Sequence, residues 1–428
     1  MYVFYSLLLA LVALFSLPWW ALQMLRLGKY RAGLAERLGF VPARLKNAAP
    51  GSIWIHAVSV GEVLAVSRVV TELRNKYPAR QIFISTTTIT GQRLARERFG
   101  EAYCFFMPLD FGFCVRAYLG ALKPQLLILA ETEFWPNLLH LAKKSGSAVA
   151  IVNARISDRS FPRYRRFRWF FKRVLSSVDL FLAQTSADAT RLREIGAATE
   201  RVRVSGNLKF DIRPPSQSTL AANLRNAIAK DSPVIVCGST AEGEEDPLIN
   251  AFRQVQQQFP SAIMILAPRH PERFEKVAGL ISSFGLAFVR RSAWSAGQQI
   301  KSGVFLLDTV GELAALYALA DIAFVGGSLV PVGGHNILEP AQFGAAIMVG
   351  PYTFNFREIV SIFEKGNAVR VVQVERLSHD LLALLQNKEE RSGLGQRAKE
   401  LFAQHAGATQ KTLQALEPLL ATQQVTPQ

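Results

Sequence analysis

Residues 52 to 63 run Ser52-Ile53-Trp54-Ile55-His56-Ala57-Val58-Ser59-Val60-Gly61-Glu62-Val63. An apolar run of strand length gives way to small residues and then to a helical repeat, which is the pattern of a buried strand, a turn and a helix. The same unit recurs. Further runs of strand length are Ile82–Thr86, Leu126–Ala130, Ala148–Val152, Leu180–Ala183 and Val202–Ser205, and a second series comprises Val234–Cys237, Ala262–Ala267, Leu286–Val289, Val304–Leu307, Ile322–Val325 and Ala345–Val349. Strand and helix alternating through two series predict an α/β protein with two doubly wound, Rossmann-like domains, each a parallel sheet covered by helices. Arg213-Pro214-Pro215-Ser216-Gln217-Ser218 separates the series, and helical periodicity from about Leu377 to Leu420 closes the chain. The expected organisation is a membrane-anchor helix over 1–25, a basic connector over 26–50, a first domain over 51–212, a linker over 213–232 and a second domain over 233–428.

The chain has 428 residues and carries 49 Lys+Arg against 33 Asp+Glu, a net charge of +16, with half its residues hydrophobic. That composition excludes a disordered acidic chain and a disulfide miniprotein. Three cysteines, Cys104, Cys114 and Cys237, form no CxxC pair, so no structural zinc site is indicated. The positive excess calls for an anionic partner: nucleic acid, a phosphorylated substrate or a membrane surface. Tyr2 to Leu25 contains no charged side chain. At about 1.5 Å per residue such a helix reaches across a hydrocarbon core of about 30 Å. The basic residues Arg26, Lys29, Arg31 and Arg37 follow the apolar run and no small-residue cleavage site is present, which favours a signal anchor over a cleaved signal peptide. The positive-inside rule then places the remaining chain in the cytoplasm. Pro18 and Trp19-Trp20 leave a helix lying in the membrane plane as the other reading.

In doubly wound sheets ligands sit beyond the carboxyl ends of the strands. Glu62 follows the first strand and opens a helix near its own position, where the macrodipole favours the ionised carboxylate. It is a candidate general base, weighed against a first-turn glutamate that only complements the dipole. His56, mid-strand, reads as a core histidine. Glu131 and Glu133 follow a later strand in Ala130-Glu131-Thr132-Glu133-Phe134-Trp135-Pro136-Asn137, as active-site carboxylates or as helix-opening acids. Asn153-Ala154-Arg155 ends the next strand and offers an amide and a cation. Lys209, in Ser205-Gly206-Asn207-Leu208-Lys209-Phe210-Asp211, is placed to neutralise developing charge or to pair with Asp211. Between them, Arg163 to Arg173 interleaves basic and aromatic residues, suited to an anionic bilayer or to single-stranded nucleic acid.

In the second series Gly238-Ser239-Thr240 precedes Glu242, Glu244 and Glu245 without a full dinucleotide or P-loop pattern. Pro268-Arg269 caps one strand, Val310-Gly311-Glu312 follows another, and Gly326 to Ala341 combines four glycines with His335, Asn336 and Glu339 before a helix. Glycines let the backbone approach a ligand, and free helix-start amides suit an anion.

Six of these segments resemble, in order, the motifs of the 3-deoxy-D-manno-octulosonic acid (Kdo) transferases of lipopolysaccharide assembly. They are Ala57-Val58-Ser59-Val60-Gly61-Glu62, then E-T-E-F-W-P-N-L from Glu131, N-A-R-I-S from Asn153, G-N-L-K-F-D from Gly206, P-R-H-P-E-R-F from Pro268 and G-G-S-L-V-P-V-G-G-H-N-I-L-E-P from Gly326. The likeness spans nearly the whole chain. It implies a GT-B glycosyltransferase with an N-terminal acceptor domain and a C-terminal nucleotide domain, which takes Kdo from CMP-Kdo, inverts the anomeric centre and attaches it to a phosphorylated lipid A precursor at the inner membrane. By motif position it implies Glu62 as proton acceptor and Glu131 and Lys209 as stabilisers of the transition state. The same likeness assigns CMP to Pro268 and Arg269, to Val310, Gly311 and Glu312, and to Asn336, Ile337, Leu338 and Glu339. No D-x-D is present, and neither a metal nor a cofactor is expected. The expected partners are the CMP-Kdo donor, the anionic lipid acceptor and the membrane surface, and not nucleic acid. A UDP-sugar enzyme with a lipid-linked acceptor and a membrane-tethered nucleic-acid-binding protein are the competing readings.

Overall fold

The computed structural model describes residues 1–27, 32–211 and 218–421. Lys29 and Arg31 of the expected connector, and residues 213–217 of the expected linker, lie outside the described residues. The chain divides into two compact units, Met1–Asp211 with Ala406–Gln428, and Ile212–His405.

In the first unit seven strands, β1 (Ser52–His56), β2 (Ile82–Thr86), β3 (Cys104–Phe106), β4 (Pro124–Ala130), β5 (Ala148–Ala154), β6 (Leu180–Ala183) and β7 (Val202–Val204), form one sheet in the order β3-β2-β1-β4-β5-β6-β7. Every pairing is parallel. Both faces are covered, so alternate residues of one strand enter opposite cores: Ile53 and Ile55 pack with Val63 and Val66, and Trp54 packs with Phe105 and Tyr118. The helices used below are α1 (Tyr2–Leu27), α2 (Leu34–Arg37), α3 (Val60–Lys76), α4 (Ile89–Phe99), α5 (Gly112–Leu122), α6 (Pro136–Lys144), α7 (Phe161–Arg166) and α8 (Arg168–Leu175). Helix α4 starts where Thr88 accepts the amide of Gly91, and α6 starts on Pro136, whose missing N–H is not needed at a first turn.

The second unit repeats the plan with β8 (Val234–Thr240), β9 (Ile263–Pro268), β10 (Phe288–Arg290), β11 (Gly303–Leu306), β12 (Ile322–Val325), β13 (Ala346–Val349) and β14 (Arg370–Val371), in the order β10-β11-β9-β8-β12-β13-β14. Strand order reverses direction between β1 and β4 in one sheet and between β8 and β12 in the other. Those switch points are where adjacent connections leave to opposite faces and open a crevice. Glu62 follows β1 and Glu131 follows β4, while the glycine-rich segment follows β12.

Two expectations are corrected. The closing helix Ala408–Ala421 belongs to the first unit and not to a domain running to residue 428: Leu416 and Leu420 enter the core beside Val66 and Ile128, and Asp211 receives the amides of Gly407, at 2.6 Å, and Thr409. Among the described residues no helix is long and apolar enough to cross a membrane. Helix α1 forms, but its first turns are engaged by protein. The Tyr2 ring stacks on His140 with centroids 3.9 Å apart, Asn137 Nδ2 donates to Ser6 Oγ at 3.0 Å, and Tyr5 is hydrogen-bonded to Asp110. Val3, Phe4, Leu7, Leu8, Leu11, Val12 and Phe15 face outward as one lateral stripe.

Candidate active site

Helix α3 begins at Val60, so Glu62 occupies its first turn and folds back on the preceding residues. Its Oε2 accepts the amide of Val58 at 2.8 Å and its Oε1 accepts Ser59 Oγ at 3.0 Å. The residue is 8% exposed. Burial pushes its carboxyl up to about 7, the nearby charges of Glu131 and Glu133 push the same way, and the two hydrogen bonds oppose them. The helix dipole read from the sequence favours the ionised form, and burial acts in the opposite direction. What results is a carboxylate that exchanges a proton near neutrality. His56, at the end of β1, is wholly buried on Ser85 and its imidazole is held down to about 4 by burial.

Glu131 follows β4 with φ at 56°, in the left-handed region that a glutamate adopts at a cost of about 1–3 kcal/mol. Its amide is bonded to Val152 O at 2.9 Å, and its Oε1 lies 3.3 Å from Lys209 Nζ. Lys209 rides on a 3-10 turn, Leu208–Phe210, which is held from two sides: Asn207 Oδ1 accepts the amide of Lys209 and Asn153 Oδ1 that of Leu208, both at 2.9 Å. Asn153 is itself left-handed, at φ 55°. Lysine thus pairs with Glu131, and Asp211, the other partner weighed from sequence, caps the closing helix. Glu131 and Glu133 precede α6 rather than opening it; Glu133 Oε2 accepts Trp135 Nε1 at 2.9 Å, and burial raises its carboxyl above the ordinary range.

In the second unit the carboxyl ends of β11, β9 and β12 carry the other expected residues. Arg269 opens into a cavity of about 470 Å³ that His270, Lys276, Val332 and His335 also line. His335 is held down to about 4, first by burial and then by the charges of Arg269 and His270, and its buried Nε2 has no partner among the described residues. Glu339 is raised by burial and feels Arg269, with Asn336 Nδ2 at 3.5 Å from its Oε1. Ile337 and Leu338 are fully buried, so their backbone is what they can offer a ligand. Val310 is 78% exposed beside Gly311, and Glu312 pairs with Arg291 at 3.0 Å.

The chain matches two family models: "3-Deoxy-D-manno-octulosonic-acid transferase (kdotransferase)" over residues 32–212 and "Glycosyl transferases group 1" over residues 225–401. It is 35% identical to the 3-deoxy-D-manno-octulosonic acid transferase of Haemophilus influenzae over 97% of this chain and 98% of that one. The chain belongs to the Kdo transferase family. It is an enzyme, a glycosyltransferase with a GT-B-like α/β fold. Among solved structures, the C-terminal CMP-Kdo binding domain of WaaA from Acinetobacter baumannii is 34% identical over 42% of this chain and 95% of that one, with a TM-score of 0.40. The UDP-GlcNAc 2-epimerase of Neisseria meningitidis, 12% identical, covers 86% of this chain and 100% of that one at a TM-score of 0.55, a likeness of fold alone.

Within this Kdo transferase the glycine-rich segment departs from its sequence reading. Glu244, fully buried, accepts four amides: Ala241 at 2.8 Å, Gly327 at 2.6 Å, Ser328 at 2.8 Å and Leu329 at 2.7 Å. Those amides are occupied by the protein, and the ones expected to meet a ligand lie further along, near Asn336. Gly327 turns at φ 67°, where a Cβ would meet the His335 ring at 2.9 Å. The basic and aromatic segment divides across α7 and α8: Tyr164, Phe170 and Phe171 pack against the core with Phe134, whereas Phe167 and Trp169, the latter 72% exposed, face outward among Arg163, Arg165, Arg166 and Arg168.

Proposed function

We propose that this transferase moves Kdo from CMP-Kdo to a hydroxyl of a phosphorylated, acylated lipid A precursor, with inversion, at the cytoplasmic face of the inner membrane. The observation that carries the reading is Glu62, a carboxylate poised near neutrality at the switch point of the first sheet, with the Glu131–Lys209 pair at the same strand ends. In the proposed step the acceptor oxygen bonds to the anomeric carbon as the bond from that carbon to the CMP phosphate oxygen breaks. Glu62 takes the hydroxyl proton, and the electron pair of the broken bond leaves on the phosphate. Lys209, held by Glu131, stabilises the negative charge that develops.

On the donor side, Pro268 and Arg269, Val310 with Gly311 and Glu312, and Asn336 with Ile337, Leu338 and Glu339 hold CMP. Arg269 suits its single phosphate, and Glu339 accepts from ribose hydroxyls. Side-chain cations and backbone amides supply the neutralisation, so the reaction proceeds without a catalytic metal. Attachment to the bilayer is in the membrane plane, through the outward stripe of α1 and the exposed rings and arginines of α7 and α8. Each basic side chain near an anionic surface adds about 1 kcal/mol. Incubation with CMP-Kdo and the partly acylated precursor, followed by product mass, tests the assignment. A product heavier by Kdo residues supports it; no product, or inhibition by UDP and not by CMP, removes it.

A further inference from the structure

Glu62 stands at one end of an exposed apolar strip. Val60 and Leu64 lie one turn apart on α3 and bracket it in the chain, and both are exposed. Val58 O accepts the amides of Thr87 and Thr88, at 3.2 and 3.1 Å, which brings Ile89, 52% exposed at the start of α4, beside the start of α3. Arg37 of α2 reaches Thr87 O at 2.5 Å and its own carbonyl accepts the amide of Leu109 at 2.7 Å, so exposed Leu38 and Leu109 come next. A Cβ on Gly39 would lie 2.8 Å from Cys114 Cα, which sets this stretch against the first turn of α5, where Phe113 is 62% exposed. Asp110, which follows Leu109 in the chain, holds Tyr5 of α1. These contacts place the six exposed apolar side chains in succession between the first turn of α3 and the segment that holds α1.

Resting on the proposed function, we infer that this strip binds the acyl chains of the lipid acceptor, leading them from α1 toward Glu62 while the sugar hydroxyl reaches the carboxylate. Six exposed apolar side chains grouped around the carboxyl ends of β1 to β3 would be a poor surface for a sugar, and apolar exposure gathered in one region marks an interaction site. Its two ends specify the occupant. One lies within a helical turn of the proposed base, and the other meets the helix whose outward stripe is apolar. A molecule with hydrocarbon chains and a reactive hydroxyl matches both. Each methylene that leaves water for such a surface favours binding by roughly fourfold.

The variants Leu64→Gln, Ile89→Gln and Phe113→Ser, singly and together, test this against two acceptors: the acylated precursor and the same sugar phosphate with its acyl chains removed. The unmodified enzyme is expected to show a much lower KM for the acylated acceptor, and the triple variant to lose that preference by roughly tenfold or more. Its kinetics with the deacylated acceptor, and its affinity for CMP, stay unchanged, which also shows that it is folded. An unmodified enzyme indifferent to acylation, a variant that keeps the preference, equal losses on both acceptors, or a loss that appears only as weaker vesicle attachment or as a broken dimer would each overturn the inference. Transfer to neither acceptor by the unmodified enzyme would remove the proposed function, and the inference with it.

Discussion

Asn153 Oδ1 accepts the amide of Leu208 at 2.9 Å, and this one bond ties the end of β5 to the turn that presents Lys209 to Glu131. Asn153 is fully buried, and Gln184 Nε2 fixes its carbonyl at 3.1 Å. Its side chain acts on the proposed chemistry through lysine, as a positioning residue. Replacement by alanine leaves a buried amide unpaired, at about 1–3 kcal/mol. The expected outcome is a kcat lowered by about tenfold with KM for donor little changed, alongside a lower Tm; an unaltered kcat with the lower Tm would show that the bond serves stability alone.

Ser59 donates to Glu62 and thereby favours its ionised form. In Ser59→Ala that support is gone, so the proton is held more tightly and the midpoint of the acidic limb of activity moves upward from about 7. A pH–rate profile checks the direction, and a downward shift contradicts the assignment.

Glu62 also links stability to pH. Its folded value, about 7, lies above the ordinary carboxylate value of 4.5. The contribution of this group is therefore fully present below the unfolded value and is lost as pH rises through the folded value, by up to about 3 kcal/mol. Glu62→Gln removes that loss. The Tm of the variant relative to the unmodified protein is expected to be higher at about pH 8.5 than at about pH 5, on either side of the folded value, measured by thermal unfolding at both.

Neutralising Arg165, Arg166 and Arg168 together should weaken attachment to vesicles containing anionic lipid and flatten its dependence on salt, with little effect on neutral vesicles. Sedimentation with liposomes of the two compositions measures it.

Parallel strands buried on both faces appear in the sequence as short apolar runs, which is why twelve of the strands and the ends that carry Glu62, Glu131 and Arg269 are legible there. Cys104–Phe106 and Arg370–Val371 are too short to register as runs, the second containing a charge. Amphipathic period shows that Ala408–Ala421 has an apolar face but not which sheet it covers; the bonds from Asp211 decide that. Glu244 reads locally as a helix-opening acid because the amides it gathers at Gly327, Ser328 and Leu329 are more than 80 residues away in the chain. Glu62 illustrates the same limit in energetic terms. A dipole is visible from spacing, whereas the desolvation that opposes it arises only when the sheet, α3 and the carboxylates after β4 come together.

The most direct test of the central claim is the pH dependence of kcat/KM for Kdo transfer by the unmodified enzyme and by Glu62→Gln. With the carboxylate as general base, the unmodified enzyme shows an acidic limb with a midpoint near 7, and the variant, with CMP affinity intact, loses both the limb and most of the rate. A variant that keeps the limb and turns over normally would contradict it.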